Sequence, residues 1–267
     1  GGRHLMTIFL HEIRQNRLSL LIWTLAIALL LLICMIMFPE MNTGMGDVTN
    51  MFANMGSFTQ AFGMDRLNFG DVMGFYALEC GNILSIGGGF FAALLGINVL
   101  AKEEKERTAE FLLTHPLRRR TVIFQKLLSI LFELVLMNLV VMAISAASFA
   151  LIGEELAVRE FLLLHGAYTI LQIEIACICF GISAFIRRNG IGAGIGLAAL
   201  FYFLNIFKNI SDQAEFLKYI TPFAYAEAAD IISDRAIDIR LLILGLIYAA
   251  ISIAAAFLKY TKKDIAA

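Results

Sequence analysis

The sequence predicts an all-α, polytopic membrane protein with six transmembrane helices, an N-terminal interfacial helix and a short amphipathic helix in a loop between spans. Three observations carry this. Of 267 residues, 60% are hydrophobic and 16% charged, against about 25% charged in ordinary soluble domains. The mean hydropathy is +0.79. The apolar residues fall in runs of the length a helix needs to cross a bilayer, about 20 residues.

The runs place the spans at residues 18–38, 78–101, 127–153, 161–186, 189–207 and 241–258. Glu133 is the only acidic or basic residue in the third, and Glu174 holds that place between Phe161 and Ile186. Helix is the required state, because backbone polar groups must be satisfied internally in lipid. A β-barrel would show alternating segments of about ten residues, and the runs do not alternate. The chain from residue 6 to residue 267 reads as one transmembrane domain. Gly1 to Leu5 precede the first methionine and read as a remnant of expression. The first run is too long for a cleaved leader and reads as a retained span.

Lysine and arginine orient the helices. Arg14, Arg17, Lys102, Lys105, Arg107, Arg118, Arg119, Arg120, Lys126, Arg187, Arg188, Lys259, Lys262 and Lys263 all fall on one side of a six-span layout. That side is expected to be cytoplasmic and to hold both termini, in the plasma membrane. The opposite loops are acidic, with Glu40, Asp47, Asp65, Asp71, Glu154 and Glu155 among others. The net charge of −1 gives no pull toward nucleic acid. Leu5 to Arg17 is amphipathic, with Leu5, Phe9 and Ile13 on a stripe and Glu12 and Arg14 off it, so it is expected to lie in the interface plane. Residues 39–76 and 208–240 read as long exterior loops, a length that is usually functional or partly structured.

The four cysteines, Cys34, Cys80, Cys177 and Cys179, sit in or beside apolar runs and show neither disulfide nor zinc spacing. They read as packing residues. The four histidines are scattered.

The richest loop is Lys102 to Lys126, KEEKERTAEFLLTHPLRRRTVIFQK. Its first part favours helix. Thr108 and Leu112, and Ala109 and Leu113, lie one turn apart, and Pro116 ends the run. Composition alone allows an ordinary solvated loop equally well. The segment resembles the coupling segment of bacterial type-2 ATP-binding-cassette (ABC) exporter permeases: two glutamates, then Gly-Thr-x-Glu-x-Leu-Leu-x-x-Pro-x-x-Arg. The matching positions are Glu103, Glu104, Thr108, Glu110, Leu112, Leu113, Pro116 and Arg119, with Arg107 where the family usually has glycine. AFGMD at Ala61 to Asp65, Gly74-Phe-Tyr and TPFAY at Thr221 to Tyr225 are similar to further family elements.

The resemblance implies a membrane subunit that couples ATP hydrolysis by a separate ATPase to translocation of an amphipathic substrate, such as a peptide antibiotic or a drug. The chain contains no G-x-x-x-x-G-K-[ST] phosphate loop. No cofactor is therefore expected on this chain, and ATP and Mg are expected on the partner. The implied assembly has two ATPases and two permeases, the second identical or homologous. Glu103, Glu104, Glu106, Arg107 and Glu110 would meet the ATPase, and Leu112 and Leu113 would anchor the helix by burial.

Charged and polar groups at membrane depth mark candidate translocation residues: Glu79, Glu133, Glu174 and Asn205. Glu133 and Glu174 are equally open to structural pairing with Asn138, Asn205 or each other. Small residues recur around Gly88 and Gly89 in the second span and at Gly190, Gly192, Gly194 and Gly196 in the fifth. Such faces serve tight packing within a subunit or a dimer contact. A second reading is a self-sufficient proton- or ion-coupled transporter or channel using Glu133 and Glu174. An intramembrane enzyme is disfavoured, since the sequence shows neither a Ser/His pair nor H-E-x-x-H.

Overall fold

The computed structural model describes residues 6–44, 51, 54–101, 118–186 and 190–262. Among these the chain is helical, without strands, and six helices are long and apolar enough to span a membrane. They are α1 (Thr7–Asn42), α3 (Val72–Asn98), α4 (Arg119–Ile152), α5 (Val158–Ser183), α6 (Ile191–Ile210) and α8 (Ile239–Lys262). Two short helices lie between them, α2 (Ser57–Ala61) and α7 (Ala228–Asp234). The all-α, multi-pass architecture is the one the apolar runs predict.

The bundle is apolar outside and partly polar inside. Leu18, Ile22, Leu25, Leu29, Ile33 and Ile36 of α1 are exposed, as suits contact with lipid. Glu12, Lys126, Glu133, Asn138, His165, Gln172 and Glu174 are buried. The central helices are α3 and α5, while α1, α6 and α8 are peripheral. One end, with Arg14, Arg17, Arg118 to Arg120, Lys259 and Lys262, is basic; Asp65, Asp71, Glu154 and Glu155 lie at the other.

Helix α5 crosses its neighbours where glycine removes a side chain. A Cβ on Gly88 of α3 would lie 2.1 Å from Gln172 Nε2. One on Gly96 would lie 2.3 Å from the Ala176 carbonyl oxygen. On the α8 side, a Cβ on Gly245 would lie 2.3 Å from Glu174 Oε2, and one on Gly181 would lie 2.8 Å from the Ser252 carbonyl oxygen. Backbones can approach this closely only without side chains between them. The same approach brings polar groups together. Asn138 Nδ2 donates to Gln172 Oε1 at 2.6 Å, and Gln172 Nε2 donates to the Leu84 carbonyl at 3.4 Å. Leu84 opens a single π-helical turn, Leu84–Gly88, inside α3. Such a turn disturbs the regular bond ladder, and Gln172 supplies a donor there.

Three expectations need correction. The segment from Leu5 to Arg17 is not a separate interfacial helix. From Thr7 onward it is the start of a 36-residue helix that continues without a break into the first span. At 1.5 Å per residue α1 is about 54 Å long, well beyond a hydrocarbon core of about 30 Å. Its buried residues there are Ile8 and Glu12, with Glu12 meeting a lysine on α4, while Phe9 and Ile13 of the apolar stripe are half-buried. The first long loop is shorter at both ends than expected. Helix α1 runs to Asn42, with Pro39 inside it, and α3 begins at Val72, capped by Asp71 accepting from Gly74 N at 3.1 Å. The second loop does not simply run outside the bundle. Thr221 accepts from Phe223 N at 3.3 Å and starts a buried 3₁₀ turn, Pro222–Ala226, packed on α5 and α8.

Close approach at Gly96 makes a testable prediction. Gly96→Ala forces a Cβ against backbone and should lower stability by roughly 1–3 kcal/mol, the usual cost of overpacking. Gly166→Ala, where a Cβ meets nothing within 4 Å, should be neutral. Thermal unfolding of the two variants in detergent checks this; equal midpoints would contradict the packing described.

Candidate functional site

The segment that resembles a coupling helix lies between Ala101 and Arg118, outside the described residues. This holds for Glu103, Glu104, Glu106, Arg107, Thr108, Glu110, Leu112, Leu113 and Pro116. Arg119 is described and is the first residue of α4. The structure does show what holds the two ends of that segment.

On its N-terminal side, the last turn of α3 is held by two side-chain contacts. Lys126 Nζ on α4 donates to the Val99 carbonyl at 3.2 Å. Asn98 Oδ1 accepts from Gly190 N at 3.1 Å, tying α3 to the start of α6. Terminal carbonyls of a helix lack intrahelical donors, so a lysine there is doubly favourable. On the C-terminal side, Lys126 is 2% exposed and pairs with Glu12 Oε1 at 2.5 Å. Its neighbour Gln125 caps α1 from another helix: Gln125 Oε1 accepts from Ile8 N and Phe9 N, both at 3.2 Å. Further along, Asn16 Nδ2 donates to Glu133 Oε1 at 3.1 Å. A polar seam thus joins α1 to α4 at the basic end and reaches the last turn of α3 through one lysine.

The candidate translocation residues do not converge. Glu79 is half-buried between α3 and α1, where Cys34 Sγ donates to its Oε2 at 3.6 Å. Glu133 is fully buried in the α1–α4 seam. Glu174 is fully buried on the α8 side of α5, in the space left by Gly245. The Tyr225 hydroxyl lies close to its carboxyl group, although among the described residues no hydrogen bond of ordinary geometry reaches either of them. Asn205 of α6 is buried and donates to Glu227 Oε2 at 2.9 Å. The pairings left open for Glu133 and Glu174 are not among the hydrogen bonds of the described residues: Glu133 accepts from Asn16, Asn138 bonds Gln172, and Asn205 bonds Glu227. Gln172 and Glu174 do face different neighbours, as their spacing requires.

The glycines divide into two groups. Gly88 and Gly89 pack within the chain against Gln172, Ile175 and Phe223. Gly190 and Gly194 pack against Ile97 of α3. Gly192 and Gly196, one turn apart on the other side of α6, have open space where a Cβ would stand. Cys80, Cys177 and Cys179 are buried and Cys34 is half-buried, and all four are free. Among the described residues, no group of three or more histidine, cysteine or acidic side chains could hold a metal.

Sequence reasoning passed over Glu12, Gln125, Lys126 and Glu227 as structural residues. Lys126 had a signal: a lysine eight residues inside the helix α4, beyond the arginine run, is deeper than solvation explains. Glu227 had only its place two residues after the TPFAY turn.

The Lys126–Glu12 pair sets a prediction. Breaking a buried pair from one side leaves an unpaired charge, at a cost of roughly 3–5 kcal/mol. Lys126→Met or Glu12→Leu alone should be strongly destabilised in detergent unfolding. The double variant should recover most of the loss. Additive losses in a double-mutant cycle would contradict the coupling.

Comparison with known proteins accords with this architecture. No curated protein matches the chain. A family model described as ABC-2 family transporter protein matches residues 6–265, which spans all six membrane helices and both sides of the segment that α3 and α4 flank. The chain therefore belongs to the ABC-2 family of transporter proteins, as a membrane-embedded permease subunit of an ABC transporter.

Proposed function

We propose that this permease is the membrane half of an ATP-driven exporter, with its basic end in the cytoplasm. The observation that carries the reading is the match across residues 6–265, together with the coupling-type motif from Glu103 to Arg119. Family membership implies an ABC ATPase partner in general. We place that partner on the segment from Lys102 to His115, as an amphipathic helix laid in a groove. Glu103, Glu104, Glu106, Arg107 and Glu110 form its polar surface, and Leu112 and Leu113 its anchor. ATP and Mg belong to the partner's site, and the chain itself carries out no hydrolysis.

Two ATPases and two permeases make the working unit in this reading. The open Gly192–Gly196 face of α6 supports a second permease on that side. Nucleotide-driven approach of the ATPases would press on the two coupling segments. The push would enter the membrane through the last turn of α3, which Lys126 and Asn98 tie to α4 and α6. The substrate class in this reading is amphipathic or cationic. The polar groups inside the bundle give the ion-coupled alternative less support than their sequence positions did. Glu133 is engaged by Asn16 in a helix seam, and Glu133 and Glu174 face different helices.

The test is Leu112→Asp with Leu113→Asp, co-expressed with the ATPase. We expect the permease to insert and remain folded while the complex is lost, at least tenfold in yield, along with permease-dependent ATP turnover. Undiminished complex formation would remove this helix from the mechanism. Transport by the chain alone on an ion gradient would overturn the exporter reading.

A further inference from the structure

At the acidic end, a small cavity lies between α3, α5, α6 and the turn that precedes α7. The volume open to the centre of a water molecule is ≈ 30 Å³. Its polar lining is Asn82, Ser85, Tyr168, Tyr202, Asn205 and Glu227, with the rings of Phe62 and Phe223 beside them. Glu227 is 8% exposed. Its Oε2 accepts from Asn205 Nδ2 at 2.9 Å and from Asn209 Nδ2 at 3.0 Å.

Three segments far apart in sequence build this place. Thr221 Oγ1 donates to the Phe201 carbonyl at 2.7 Å and pins the turn before Glu227 onto α6. Asn209 Nδ2 also donates to the Ala61 carbonyl at 3.2 Å, which fastens the AFGMD segment. Gly63 has φ +66, a conformation that favours glycine. A Cβ there would lie 2.9 Å from Glu227 Oε1. The segment can therefore close over the carboxylate only with glycine at that position.

Of the cations near the cavity, Arg66 is paired with Asp230 and stands 3.9 Å from Asp65, and Lys208 also acts on Asp230. Among the described residues Glu227 forms no ion pair. Asn205 is 7% exposed, and its Oδ1 is buried with no hydrogen-bond partner. The Asn205 amide spends its donor on Glu227, and among the described residues its acceptor is left without a partner beside the cavity that Asn205 lines. A buried carboxylate and an orphaned acceptor are both costly. One group satisfies both: a cation that carries several N–H donors.

We propose that this cavity is a binding site for a primary ammonium group. Glu227 supplies the counter-charge, Asn205 Oδ1 and the hydroxyls of Ser85, Tyr168 and Tyr202 accept hydrogen bonds, and the aromatic rings face the cation, an attraction of known sign. A single carboxylate with amide and hydroxyl oxygens is a poor divalent-metal site, since Ca²⁺ takes 6–8 oxygen ligands. The volume admits a head group and excludes a quaternary one. Two sources present such a head group to a membrane protein: a dissolved amine and the ethanolamine head of a lipid. The inference concerns binding by this chain alone and does not depend on the ATPase reading.

The test is thermal unfolding of the purified full-length chain. In detergent, n-butylammonium chloride should raise the midpoint saturably beyond sodium chloride at equal ionic strength, and tetramethylammonium should not. In nanodiscs, phosphatidylethanolamine should raise it relative to phosphatidylcholine if the lipid is the source. Either arm, lost in Glu227→Gln and kept in Glu215→Gln, establishes the site. Absence of a saturable shift in both arms, or an unchanged shift in Glu227→Gln, overturns it. Should Glu227→Gln fail to fold, Ser85→Ala decides. One lost hydrogen bond of about 1 kcal/mol is about fivefold in affinity; unchanged affinity overturns the proposal.

Discussion

The fold rests on how closely α5 can approach its neighbours. Lipid gives no hydrophobic drive for one apolar helix to pack on another, so packing and internal hydrogen bonds must do it. Glycine stands at each tight crossing: Gly88 and Gly96 on α3, Gly181 on α5 itself, Gly245 on α8. With side chains there, α3 and α8 would stand off from α5. Gln172 would then lose the Leu84 carbonyl and Asn138, and these polar groups would be left in an apolar medium. Tight packing and polar satisfaction are one requirement met by the same residues.

At the basic end the requirement takes a different form. The described residues on either side of the candidate coupling segment end at Ala101 and resume at Arg118. The helices on either side have terminal groups to satisfy, and a buried lysine does much of it. Lys126 meets Glu12 of α1 and the Val99 carbonyl at the end of α3. Gln125, one residue earlier, meets the first amides of α1. Force applied to the segment between α3 and α4 therefore reaches three helices through short, buried contacts. These contacts suit the proposed role, in which the subunit receives work from a partner ATPase.

Much of the architecture was legible because lipid-spanning helices write themselves as long apolar runs. Every span was visible. Helices α1, α3, α4, α5 and α8 begin before their apolar windows, because polar turns such as Arg119 to Lys126 remain helical outside them, whereas α3 and α5 stop three residues short of the predicted ends. The family was legible from Glu103 to Arg119 and from short elements such as TPFAY. What escaped was pairing across long sequence distance. Glu12 read as a solvated residue because its partner lies on α4. The stripe of Phe9 and Ile13 read as interfacial, since an amphipathic helix looks the same against lipid or against α4. Glu227 drew no reading from the sequence, because nothing local shows that Asn205, Asn209 and Gly63 surround it. Burial of the Pro222–Ala226 turn is set by the helices it covers, not by its own composition.

The central claim is that an ATPase engages the segment between α3 and α4, on the side of the membrane where ATP is made available. Site-directed cross-linking in membranes measures this directly. A cysteine-free chain carrying Glu106→Cys should cross-link to a co-expressed ATPase, with a yield that changes between ATP-bound and nucleotide-free states. The same chain carrying Glu154→Cys, at the opposite end of the bundle, should give no such product. Cross-linking from position 154, or none from position 106 in an assembled complex, would contradict the account.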